Sequence, residues 1–81
     1  MFFNRISPLT YKEVSSALKR LGFSMKAKKS TAHEQWIRVD ERGKFLVTVD
    51  KHLSPFDKAL IQSMARQAGM TTKEFFRECK K

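Results

Sequence analysis

Residues 33–49, HEQWIRVDERGKFLVTV, decide the fold. His33 to Val39 and Lys44 to Val49 are rich in β-branched and aromatic residues, the composition of strands. Between them Asp40-Glu41-Arg42-Gly43 has the composition of a hairpin loop. Just upstream, Phe23, Met25 and Ala27 alternate with Ser24, Lys26 and Lys28, which suits a short strand with one polar face. The polar run Lys29-Ser30-Thr31-Ala32 is expected to be a turn. Together these stretches predict a three-stranded antiparallel meander.

Helices flank the meander on both sides. Thr10-Tyr11-Lys12-Glu13 reads as a capping box, with Leu9 and Val14 placed as a hydrophobic staple. Val14, Ala17, Leu18 and Leu21 then recur at the spacing of an amphipathic helix, and Gly22 supplies the left-handed stop. Downstream, Ser54-Pro55-Phe56-Asp57 restarts a helix with Ser54 as the expected cap and Pro55 in the first turn. Leu60, Ile61, Met64, Ala65 and Ala68 form its apolar face, and Gly69 ends it. Thr71-Thr72-Lys73-Glu74 opens a last short helix carrying Phe75 and Phe76. The predicted fold class is two-layer α+β: helix, three-stranded antiparallel sheet, helix, short C-terminal helix, with the helices on one sheet face and the other left for a ligand. Residues 1–9 read as an extended arm, and 10–81 as a single domain.

The 81-residue chain carries 17 Lys and Arg against 8 Asp and Glu, a net charge of +9, so a polyanionic partner is expected. The charge is uneven. No acidic residue falls between Val14 and Ala32, where Lys19, Arg20, Lys26, Lys28 and Lys29 lie. At 41% hydrophobic residues the chain is a folded protein rather than a basic tail. One cysteine, Cys79, excludes an internal disulfide and reads as an inert exposed thiol among charges. No signal-peptide core or membrane-spanning stretch is visible, and the expected location is the cytoplasm.

The chemistry open to this chain is narrow. Its three glycines are scattered, which excludes a phosphate-gripping glycine loop, and metal-ligand spacing is absent, so neither metal nor cofactor is expected. The proton-transfer groups are His33 and His52. A histidine next to a basic patch suits RNA cleavage, in which a base takes the ribose 2′-OH proton and the oxygen attacks the neighbouring phosphorus. Spacing alone leaves His33 open to a second reading, as an exposed or hydrogen-bonded strand histidine, and His52 to that of a solvated loop residue. Trp36 and Phe45 or Leu46 suit either base stacking or the core. Trp36 and His33 have opposite strand parity, so at most one of them points to the free face.

The order of these strings resembles the HicA-type toxins of bacterial toxin–antitoxin pairs. Ala17-Leu18-Lys19-Arg20-Leu21-Gly22-Phe23 matches the end of their first helix. Thr31-Ala32-His33-Glu34-Gln35-Trp36 stands at their Gly-Ser-His segment and aromatic strand, with Thr31-Ala32 in place of Gly-Ser. Val47-Thr48-Val49, the Lys51-His52 loop, Arg66-Gln67-Ala68-Gly69 and Glu74-Phe75 follow in family order, so that the resemblance spans roughly residues 10–77. It implies a fold like that of double-stranded-RNA-binding domains and a metal-independent mRNA endoribonuclease with His33 as the catalytic residue. It also implies a HicB-like antitoxin that covers the site. Lys26, Lys28, Lys29 and Arg38 are then the expected RNA-binding residues, with Lys44 and Lys51 as further candidates. The alternative is a non-catalytic RNA-binding module of the same fold.

Overall fold

The computed structural model describes residues 6–26 and 33–81. Helix α1 (Tyr11–Arg20) leads into strands β1 (Ser24–Met25), β2 (His33–Asp40) and β3 (Gly43–Asp50), followed by a single 3₁₀ turn (Lys51–Leu53), α2 (Lys58–Gln67) and α3 (Thr72–Cys79). The three strands form one antiparallel sheet in the order β1-β2-β3. The α+β class and the order of elements are those the sequence predicts. The expected continuation of the first strand to Ala27 and the expected turn Lys29–Ala32 lie outside the described residues.

Local chemistry sets the helix limits. Both reciprocal capping boxes form, Thr10 with Glu13 and Thr71 with Glu74. α1 ends in a Schellman motif, with Phe23 N–H donating to Leu18 O at 2.9 Å and Gly22 N–H to Lys19 O at 3.1 Å. α2 ends the same way: Met70 donates to Ala65 O and Gly69 to Arg66 O. Gly69 sits at φ +77, and a Cβ there would meet the Phe45 ring at 2.7 Å, so both backbone and packing require glycine.

The start of α2 corrects the sequence reading. Its cap is Asp57, whose Oδ1 accepts from Leu60 N–H at 3.0 Å, and not Ser54. Leu9 and Phe56 exchange two backbone hydrogen bonds, at 3.1 and 2.7 Å, which hold the chain extended through Phe56. A helix cannot begin until that bridge is passed. Ser54 caps the other helix instead: its Oγ accepts from the N–H of Tyr11, an orphan donor in the first turn of α1. Leu9, expected in an arm, is thereby fully buried.

The helices cover one sheet face. Trp36 of β2 and Val47 and Val49 of β3 point into a core built with Val14, Leu18, Ile61, Phe56 and Phe75. The free thiol of Cys79 is buried in this core, not exposed, and burial pushes it up to about 12. No helix among the described residues is long and apolar enough to cross a membrane.

Candidate active site

The β2–β3 register sorts every strand residue onto a face. His33 pairs with Asp50, Gln35 with Thr48, Ile37 with Leu46 and Val39 with Lys44, and all of these lie on the face away from the helices. Glu34, Trp36 and Arg38 alternate with them and point inward, as the parity of His33 and Trp36 requires. Trp36 is a core residue, 2% exposed, and Phe45 packs partly buried against that core. Leu46 stays on the open face.

His33 stands at the end of this open face, where β2 begins. Its Nδ1 lies 3.5 Å from Asp50 Oδ2. The other oxygen of Asp50 accepts from the His52 N–H at 3.0 Å, as the cap of the 3₁₀ turn. The carboxylate is therefore gripped from one side and presented to the imidazole on the other. Lys26 is exposed beside the same end of the sheet, its N–H donating to Gln35 O at 2.8 Å.

Behind His33, on the inner face, lies a polar cluster that the sequence reading missed. The Glu34 carboxylate accepts from Tyr11 Oη at 2.7 and 2.9 Å and from Trp36 Nε1 at 3.1 Å. Lys51 Nζ lies 3.8 Å from the same carboxylate and 5.3 Å from the centre of the Tyr11 ring. Desolvation, then the hydrogen bond to Glu34 and its charge, pushes the Tyr11 phenol up to about 12. These contacts fix the start of β2 from behind, so His33 is carried on a strand anchored at Glu34 on its inner side.

The expected cationic residues divide. Lys26 lies at the His33 end of the open face. Arg38 does not: it points inward, 4.9 Å from the centres of both the Phe23 and Phe45 rings. Its Nη1 donates to Leu21 O at 3.0 Å and its Nε lies 3.4 Å from Asp40 Oδ2. Arg38 is thus a clamp joining the sheet to the end of α1. Lys44 is exposed opposite Val39, roughly 20 Å along the strand from His33. Lys28 and Lys29, and with them Thr31-Ala32, lie outside the described residues. His52 is an exposed residue of the 3₁₀ turn. No group of three or more His, Cys, Asp or Glu that could hold a metal ion occurs among the described residues.

Residues 11–70 match the family model described as the HicA toxin of bacterial toxin–antitoxin systems. The chain belongs to the HicA toxin family. The match runs from the first residue of α1 to the residue after Gly69 and so includes His33, Asp50 and the whole sheet. As a HicA toxin the chain is the toxic member of a toxin–antitoxin pair, and its partner is an antitoxin. Neither the curated proteins nor the solved structures gave a match.

Proposed function

We propose that this HicA toxin is an endoribonuclease that cleaves mRNA without a metal ion, using His33 to move the proton, and that a HicB-like antitoxin neutralises it. The observation that carries the reading is an exposed histidine on the open face of a basic α+β domain, backed by a carboxylate 3.5 Å from its Nδ1. In the proposed step, His33 takes the proton of a ribose 2′-OH as that oxygen bonds to the adjacent phosphorus. The bond from phosphorus to the 5′-oxygen breaks, and the departing oxygen takes up a proton. A 2′,3′-cyclic phosphate and a 5′-hydroxyl result.

Lys26 stands where a cation can neutralise phosphoryl charge at the His33 end of the sheet, and Lys28 and Lys29 belong to the same basic run. Contacts of this kind set affinity rather than sequence, so binding weakens steeply with salt. Further along the open face, Ile37 and Leu46 pair across the strands and Val39 is 70% exposed, an apolar strip suited to a protein partner beside the site. This strip supports an antitoxin that covers the open face.

The test compares wild type with His33→Ala, as purified protein with chelator on mRNA and as induced protein in cells lacking an antitoxin. Loss of both cleavage and growth arrest is expected, with folding and antitoxin binding retained. Full cleavage by His33→Ala refutes the role of His33. Salt-sensitive RNA binding without cleavage by the wild type, at any pH, makes the protein a non-catalytic RNA-binding module.

A further inference from the structure

We infer that Asp50 is the positioning residue of His33: it sets which ring nitrogen carries the proton and thereby which one does the chemistry. The inference rests on His33 being the proton-transfer group proposed above, and it goes further by naming what prepares that group.

The geometry begins in the hairpin. The two-residue turn at Glu41-Arg42 fixes the register, and that register places Asp50 directly across from His33 on the open face. Across this pair Asp50 Oδ2 lies 3.5 Å from His33 Nδ1. The carboxylate cannot swing freely, because Oδ1 is held by the His52 N–H at 3.0 Å as the cap of the 3₁₀ turn. A carboxylate only accepts, so a ring facing it is favoured with its proton on Nδ1. The lone pair of that neutral ring then lies on Nε2, which becomes the base. The same logic lets a buried carboxylate hold a catalytic histidine in its working tautomer in the serine-protease triad. Here the carboxylate is 21% exposed, and a helical turn, rather than burial, holds it in place.

Asp50→Asn is the discriminating change, because it keeps shape and removes only the second acceptor. The Asn oxygen is required by the His52 N–H, so the amide NH₂ faces His33 and favours a bare Nδ1. The experiment measures the ¹⁵N shifts of the imidazoles in the full-length wild type, in Asp50→Asn and in His33→Ala, the last distinguishing the two histidines. Cleavage kinetics are followed on the same samples. The neutral His33 ring is expected to be mainly Nδ1–H in the wild type and mainly Nε2–H in Asp50→Asn. Turnover (kcat) is expected to fall by about 10-fold or more, the direction seen when a carboxylate that holds a catalytic histidine's tautomer becomes an amide, with KM for RNA unchanged. A wild-type ring that is mainly Nε2–H overturns the inference without any variant. So does an unchanged tautomer in Asp50→Asn, or an unchanged kcat in a variant whose tautomer has switched. Should the wild type cleave no RNA, the proposed function falls, while the ring measurement still decides whether Asp50 sets the tautomer.

Discussion

Two neighbouring residues of β2 meet carboxylate chemistry on opposite faces. On the inner face the carboxylate is Glu34 itself, 6% exposed and bonded by Tyr11 and Trp36, with Lys51 beside it. On the open face it is Asp50, held by one backbone N–H and turned toward His33. A buried charge must have its acceptor positions filled, or its desolvation cost is not recovered. Asp50 is partly exposed, so the demand on it is smaller, and one oxygen is left facing His33. The pleat thus separates the two tasks: inner residues fix the strand, and outer residues are left to react.

Substitutions on the two faces should therefore fail in different assays. The largest effect is that of His33→Ala, expected to lower cleavage by about 10²–10⁴-fold, the usual contribution of a general acid or base, with an unchanged melting temperature. Loss of stability in that variant would break the separation. Next is Trp36→Ala, expected to cost about 3–5 kcal/mol in denaturant unfolding, since it empties a fully packed core position. Glu34→Ala should cost about 1–3 kcal/mol by leaving the Tyr11 hydroxyl and the Trp36 N–H without their acceptor. On the open face, Thr48→Ser should change stability by less than about 0.5 kcal/mol.

The same inner cluster also sets an effect at high pH. In the folded protein the Tyr11 phenol titrates at about 12 instead of its ordinary 10.0. Between those values the folded state holds more protons than the unfolded state. The contribution is complete below pH 10 and is lost as pH rises through about 12. Tyr11 is the single tyrosine, so phenolate absorbance reports it directly, and Glu34→Gln should lower its midpoint. An unshifted midpoint in the folded wild type would show that the inner cluster does not form.

Much of the fold was legible in the sequence because its signals are local. The capping boxes, the glycine stops and the strand composition each act within a few residues. What failed was set from a distance: Ser54 has the chemistry of a cap, but the Leu9–Phe56 bridge delays α2 and hands the hydroxyl to Tyr11. The site was half legible. His33 stood out as a titrating group near a basic run, and parity separated it from Trp36. Asp50 was missed because the composition of strand residues runs out at Val49, one position before it, although the pairing of Val39 with Lys44 already sets position 50 opposite His33. The face of Arg38 was not legible because a positive charge in a strand reads alike on either face; two aromatic rings and a helix-end carbonyl hold it inward.

Trp36 is also the single tryptophan, sealed at 2% exposure with its N–H on Glu34. The molecule thus contains one indole fluorophore, on the dry side of the strand that bears His33. Its emission should stay blue while the core is closed and move to the red only as water reaches the ring. A ligand on the open face is separated from the indole by the sheet, so contact quenching is not expected. One chromophore therefore reports unfolding without also reporting occupancy.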